Sequence, residues 1–410
     1  MKLQTPRGTE DVLPADKKLQ QEVIEVLQKA FERYGFQPLE TPTIELFDVL
    51  SVKYAGGEEI LKETFSLQDQ GKRKLALRYD LTVPLARFIA MNPQLKLPFK
   101  RYQIGKVFRD GPIKKGRKRE FTQCDADIVG TSSIRADAEC INLLQEGFSK
   151  LKIPVVIEVN SRKIIDELLT SFNVPKEKQL RVILVIDKLK KIGRENVQKE
   201  LEGLIDSKTT KKLLELIGTK GTNTEKIKVL QEFVSKDSLD EIKKLFAKGI
   251  SFEPSLSRGL AYYTGMVVEV FTKKDRTVSL GGGGRYDKMI GGYCGREVPA
   301  VGVSFGLVPI TLALKKKENE SITKVYVIPI KTEKESFKIV QELRDYGVNT
   351  DWDLTGRGVS KNLDYASKLW IPYVLIVGEK EVSQKKYTLR NMLTGKEERL
   401  SLLEVKKKLM

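Results

Sequence analysis

The sequence predicts a multidomain α+β and α/β chain: an antiparallel-sheet domain interrupted by a block of helices, then a small α/β domain. Three observations carry that expectation. The 410 residues exceed the size at which a single core stops growing. From about 176 to 250 the composition shifts to Lys, Glu and Leu in helical periodicity with few aromatics. Beyond the charged run Lys315-Lys-Lys-Glu-Asn-Glu-Ser321, strand and helix patterns alternate as in β-α-β units. The expected boundaries are 1–175 with 251–318 for the first domain, 176–250 for the helical insertion and 324–410 for the last domain.

Each element has its own signal. Leu19, Val23, Val26, Leu27, Ala30, Phe31 and Tyr34 fall at helical spacing, predicting an amphipathic helix over 16–34 that Gly35 stops. Phe36-Gln-Pro-Leu-Glu-Thr-Pro42 reads as an extended segment whose prolines suit a sheet edge. Phe65–Gln68 and Leu75–Arg78 read as short strands around a Gly71-Lys72 turn. Residues 99–109 and 119–129 read as long strands joined by a glycine- and lysine-rich loop, and Ile134–Lys150 as a helix. Strands return at 256–284 and 299–305, and a helix starts near Leu307. The tail reads as strand (Val325–Pro329), helix (333–346), strand (348–353), helix (359–369) and strand (Val374–Val377).

Bulk composition narrows the chemistry. Lys plus Arg total 73 against 55 Asp plus Glu, a net charge of +18 with a pI near 9.5. Such an excess fits a polyanionic partner, a nucleic acid first, or simply a lysine-rich surface. The chain has no histidine, which excludes serine–histidine hydrolases, histidine-bearing zinc sites and histidine phosphotransfer. Chemistry by positioning and fixed charge remains, and nucleotidyl transfer is of that kind. Cys124, Cys140 and Cys294 form neither a disulfide framework nor a zinc pattern. No apolar run reaches bilayer-spanning length, and the N-terminus lacks a signal-peptide core. The expectation is a cytoplasmic chain without a membrane partner.

Chemistry concentrates in four stretches. Gly105-Lys-Val-Phe-Arg-Asp-Gly-Pro-Ile-Lys-Lys-Gly-Arg-Lys-Arg-Glu-Phe-Thr-Gln-Cys-Asp-Ala-Asp127 sets Arg109 at one strand end, with Arg117 and Arg119 on the return. Guanidinium groups on such a loop can grip phosphates bidentately. Alternation puts Phe121, Gln123, Asp125 and Asp127 on one face, as a polar floor or as a solvated hairpin. Leu77-Arg-Tyr-Asp-Leu-Thr-Val-Pro84 ends with Asp80 and Thr82 before a helix, where capping is the simple role. Arg258-Gly-Leu-Ala-Tyr-Tyr-Thr-Gly265 sets a fixed cation beside two phenols. Strand alternation would part Tyr262 from Tyr263 unless Gly259 or Gly265 kinks the chain. Gly281-Gly-Gly-Gly-Arg-Tyr-Asp287 offers backbone that a ligand can approach closely, without P-loop spacing.

These stretches, with Thr5-Pro-Arg-Gly-Thr-Glu-Asp11, resemble the histidyl-tRNA synthetases, class II aminoacyl-tRNA synthetases, in their archaeal and eukaryotic form. The resemblance implies a class II antiparallel-sheet catalytic domain and a C-terminal α/β anticodon-binding domain. It implies activation of L-histidine by ATP to histidyl-adenylate, then transfer to the 3′ end of tRNA(His), with Mg2+ bridging ATP phosphates. Arg258 and Arg109 would be catalytic. Asp80, Leu81, Thr82, Arg109, Gln123, Asp127, Arg258, Tyr262 and Tyr263 would bind histidine, Asp127 accepting from the ring. Arg109, Arg117, Arg119 and Phe121 would bind ATP. Protein ligands of the metal are unassigned. A homodimer through 16–42 follows, and Arg357, Lys361 and Arg390 fall in the region expected to contact the anticodon. Two departures stand out: Ala261 replaces a usual Asp, and Val308 and Pro309 stand where class II motif 3 carries an ATP-gripping Arg. Arg285, or an arginine of the Gly105–Asp127 loop stretch, is the expected substitute. The alternative is an inactive paralogue that regulates ATP phosphoribosyltransferase; its kind tends to lose the catalytic Arg and the last domain, and this chain has both.

Overall fold

The computed structural model describes residues 3–51, 61–113, 118–258, 262–314 and 321–410. Two compact units divide it at Lys315/Lys316. In the first, strands β1 (Gln37–Pro38), β2 (Ile44–Leu46), β3 (Ser66–Gln68) and β4 (Lys74–Leu77) precede the long β5 (Phe99–Phe108) and β6 (Glu120–Val129). Strands β7 (Val155–Ser161), β8 (Ile250–Phe252), β9 (Met266–Thr272), β10 (Ser279–Arg285) and β11 (Ala300–Gly306) follow. Eight of these form one sheet in the order β1-β5-β6-β11-β10-β9-β7-β8, and β2-β4-β3 form a small second sheet. The large sheet is antiparallel except where β1 meets β5 and β7 meets β8.

One face of this sheet is a hydrophobic core. Cys124, Ala126 and Ile128 of β6 and Phe305 of β11 pack there against Val23, Leu27 and Phe31 of the helix Pro14–Arg33 and Leu144 and Phe148 of the helix Ile134–Lys150. The Phe305 ring lies 5.3 Å from Phe148 and 5.8 Å from Phe31, centroid to centroid. Gly147 lets the helix come that close, because a Cβ there would sit 2.7 Å from the Phe305 ring. The alternate residues of β6 therefore face the other way, toward the site. The first helix ends at Gly35, whose φ of +77° suits glycine.

Between β7 and β8 the helices Lys176–Ile186, Arg194–Glu202, Ser207–Ile217, Asn223–Leu230 and Lys236–Lys243 occupy the Lys/Glu/Leu stretch. Their starts follow local chemistry: Asp206 accepts from the Thr209 amide at 2.9 Å, and Thr222 with Glu225 forms a capping box. Val182, Leu213, Leu230 and Ile242 belong to the same core as the sheet. Glu158 of β7, buried, ties this block down through ion pairs with Lys190 and with Arg276 (3.3 Å).

The second unit is a five-stranded sheet in the order β13-β12-β14-β15-β16. Its strands are β12 (Val325–Ile330), β13 (Thr350–Trp352), β14 (Tyr373–Gly378), β15 (Tyr387–Asn391) and β16 (Glu397–Leu400). The first three are parallel, joined through the helices Glu333–Asp345 and Val359–Lys368. The antiparallel β15–β16 hairpin and the closing helix Leu402–Leu409 extend the β-α-β reading. The helix starts at Ser401, which with Glu404 makes a capping box.

Candidate active site

The site lies on the face of the large sheet turned away from that core. Residues opposite each other in antiparallel strands point to the same side. Register therefore joins Asp127 with Arg101 and Gly302, Asp125 with Gln103 and Ser304, and Gln123 with Gly105 and Gly306. Gly284 pairs with Gly302, and Gly282 with Ser304 and Glu269. The glycines make room for protein side chains as well as for a ligand. A Cβ on Gly282 would overlap the Arg258 guanidinium, and one on Gly302 the Asp127 carboxylate. One on Gly284 would meet the Tyr263 ring at 2.7 Å.

Two arginines over this floor have no carboxylate partner among the described residues. Arg258, half-buried, donates from Nη1 to the Val268 carbonyl at 3.0 Å and lies 5.8 Å from the Tyr263 ring centroid. Arg109 donates from Nε to the Tyr79 carbonyl at 3.2 Å. Its guanidinium stacks 4.3 Å from the Tyr79 ring and 5.0 Å from Phe121. Guanidinium charge held by carbonyls and aromatic faces remains available to an anion.

The floor between them is acidic and phenolic. Asp80 caps the helix Thr82–Met91, its Oδ1 accepting from the Thr82 and Val83 amides at 3.0 and 2.9 Å, while its Oδ2 is buried without a hydrogen-bond partner among the described residues. Capping and ligand binding thus fall on different oxygens of one carboxylate. Burial raises the Asp80 pKa, and the backbone bonds and Arg109 oppose the rise. Tyr262 and Tyr263 precede β9, which begins only at Met266. Because they lie in a turn, strand alternation does not separate them: their rings sit 4.8 Å apart, and Tyr286 meets Tyr262 edge-on at 6.0 Å. Of the two glycines expected to kink the chain, Gly259 lies outside the described residues, as does Ala261.

Buried polar atoms rarely lack partners. Of nine such side-chain atoms among the described residues, six belong to Asp80, Arg101, Gln123, Asp125 and Asp127. Gln123 donates to the Ser304 hydroxyl at 3.2 Å while its Oε1 is unmet. Such a set fits a small ligand rich in N–H donors and acceptors.

Several expected placements need correction. Arg285 is no ATP ligand in this arrangement. It is buried beneath the sheet rim, donating from Nε to Asp137 at 3.0 Å and from Nη1 to the Thr131 carbonyl and Asp287, both at 3.0 Å. Its Nη2 holds the Ser133 carbonyl at 3.2 Å and again Asp137. Arg285→Lys should therefore lower stability by about 1–3 kcal/mol, through loss of the planar fork, and leave the KM for ATP unchanged; denaturant titration and steady-state kinetics check both. Asp127 is partly engaged: Oδ1 accepts from the Tyr286 hydroxyl, while Oδ2, ion-paired 2.9 Å from Arg101 Nη2, has no hydrogen-bond partner among the described residues and can still accept one. Leu81 is interior, and its carbonyl accepts from Arg101 at 3.0 Å. Arg119 is held by Asp110 at 3.0 Å and covered by Gly8, whose carbonyl accepts from the Arg119 amide at 2.9 Å. Arg117 lies outside the described residues. Val308 and Pro309 open the helix Leu307–Ala313, so no cation stands there.

Sequence reading missed Arg101, wholly buried, and Tyr286. Their signals were available: Arg101 shares strand parity with Gln103 and Gly105, and Tyr286 closes the glycine run. In the second unit Arg357 stacks 4.4 Å from the Tyr365 ring, Arg390 pairs with Glu397 at 3.0 Å, and Lys361 is exposed.

An antiparallel sheet carrying free arginines and unmet acceptors on one face, with a separate α/β unit after it, is the architecture of a class II aminoacyl-tRNA synthetase. A family model described as histidyl-tRNA synthetase matches residues 8–310, and one described as anticodon binding domain matches 324–410. The chain belongs to the histidyl-tRNA synthetase family. It is 44% identical to histidine–tRNA ligase 1 of Bacillus cereus, over 99% of this chain and 97% of that one. It is 37% identical to the histidine–tRNA ligase of Nanoarchaeum equitans, over 97% and 96%. The crystal structure of histidyl-tRNA synthetase from Nostoc sp. PCC 7120 superposes with a TM-score of 0.86 at 27% identity, covering 100% of this chain and 99% of that one.

Proposed function

We propose that this chain is a histidine–tRNA ligase that joins L-histidine to ATP as histidyl-adenylate, releasing pyrophosphate, and then esterifies the 3′ end of tRNA(His). The observation that carries the reading is the pairing of Arg258 and Arg109, without a carboxylate partner among the described residues, with unmet acceptors on one sheet face. The histidine carboxylate attacks the α-phosphate, and Arg258 and Arg109 stabilise charge developing there. Asp80 Oδ2 accepts from the α-ammonium, Gln123 orients it, and the tyrosines pack around the imidazole. Phe121, already stacked on Arg109, offers its ring edge to the adenine. Magnesium enters with ATP as part of the substrate; among the described residues no group of three candidate ligands could hold a metal.

The second unit supports tRNA binding, and the excess of basic residues suits a polyanion. The reading places the enzyme in the cytoplasm as a homodimer joined through the 16–42 segment, whose β1 is an exposed edge of the large sheet. No helix among the described residues is long and apolar enough to cross a membrane. The regulatory-paralogue alternative is not favoured, because Arg258 and a matched anticodon-binding domain are both present. Charging of tRNA(His) with labelled histidine tests the proposal: acid-precipitable histidine should accumulate only with ATP present, and an inert chain would refute it.

A further inference from the structure

One buried amide has no part in the roles above. Asn160 of β7 is 0% exposed. Register sets it opposite Val267, two residues from the Glu158–Glu269 pair, so it shares the site face of the sheet with Glu269 and Gly282. Its Nδ2 donates to the Pro254 and Leu256 carbonyls, both at 3.0 Å. Its Oδ1 has no hydrogen-bond partner among the described residues, so the amide is used through its donors alone. The two carbonyls belong to the segment that leads into Arg258.

That segment leaves the sheet just before the arginine. The pairing of β8 with β7 ends at Phe252. The Glu253 amide then reaches the Val159 carbonyl at 2.9 Å, and a turn closes with the Leu256 amide on the Glu253 carbonyl at 2.9 Å. Ser257 donates from its hydroxyl to the Ile183 carbonyl of the helix Lys176–Ile186 at 3.2 Å. The guanidinium of Arg258 rests on the Val268 carbonyl, one residue from the strand partner of Asn160. The backbone behind Arg258 and the far end of its side chain are thus referred to the same pair of strands.

We propose that Asn160 is a positioning residue for Arg258: its two-donor amide fixes the Glu253–Ser257 turn and so sets where the guanidinium stands. The inference rests on the histidine-ligase reading and adds to it a residue that acts through Arg258. A primary amide supplies two N–H donors from one nitrogen, and an ionised carboxylate of the same shape supplies none. Arg258 has no ion pair among the described residues to hold it, so its place depends on the chain that carries it. Displacing such a group by about 1 Å costs on the order of a hundredfold in rate.

The test measures histidine-dependent pyrophosphate exchange by the full chain, well below the melting temperature of every variant. Asn160→Asp is expected to lower kcat by about tenfold or more, with the KM for histidine and for ATP each within about threefold of wild type. Asn160→Ser keeps one donor and should lose about threefold or more in kcat; it carries the test if the aspartate variant does not fold. A double-mutant cycle separates positioning from general support. In an Arg258→Ala background, either Asn160 change should slow exchange by less than about twofold. Losses that multiply in the double variants would overturn the proposal, as would an unchanged kcat in the single variants or an effect confined to KM. A wild-type chain without histidine-dependent exchange would refute the ligase reading and the proposal with it.

Discussion

Arg258→Ala should form histidyl-adenylate about a hundred- to a thousandfold more slowly than wild type, the usual loss when one preorganised donor is removed from developing charge. The expectation follows from how the side chain is held. Its one hydrogen bond among the described residues is to the Val268 carbonyl, and no described carboxylate is ion-paired with it, Glu269 and Asp187 acting only from farther off. The glycine at 282 exists in a form that leaves room for this guanidinium. The fold should tolerate the change, because Arg258 ties no elements together by an ion pair. Rapid-quench measurement of adenylate, with melting temperature as a control, separates lost chemistry from lost structure. The KM for histidine should move much less than the rate, since the interaction strengthens as charge develops on the α-phosphate.

Arg101→Met should have its effect on stability instead, roughly 3–5 kcal/mol, because it strands Asp127 as a buried charge. Arg101 is 0% exposed and is among the largest fully buried side chains of the protein. It bridges Asp127 and the Leu81 carbonyl, so it joins β6 to the segment that carries Asp80. Urea unfolding of the variant should show the loss. Adding Asp127→Asn to it should recover much of the difference, since the double change removes both charges together. Equal destabilisation by the single and double changes would show that Arg101 matters through its carbonyl contact and packing alone.

The sequence exposes most of this fold because its local signals agree with one another. The β6 alternation is the clearest instance: Cys124 and Ala126 belong to the core while Gln123, Asp125 and Asp127 face the site, as apolar and polar parity implies. The first helix, the long hairpin strands and the β-α-β start of the second unit follow the same logic. The site was only partly legible. Tyr262 and Tyr263 share a pocket because the strand begins later than its residues suggest, and strand onset is set by pairing with distant partners. Arg285 looks like a phosphate ligand in a glycine-rich signature, yet Asp137, far away in sequence, claims it. Arg101 carried no motif of its own. It matters because sheet register places it opposite Asp127, and register is a tertiary fact.

Pyrophosphate exchange into ATP, measured with each of the twenty amino acids in turn, tests most directly whether this floor recognises histidine through its unmet acceptors and activates it with fixed cations. Exchange should depend on histidine alone, with the other nineteen at background. Exchange driven by a different amino acid, or none with histidine, would contradict the account.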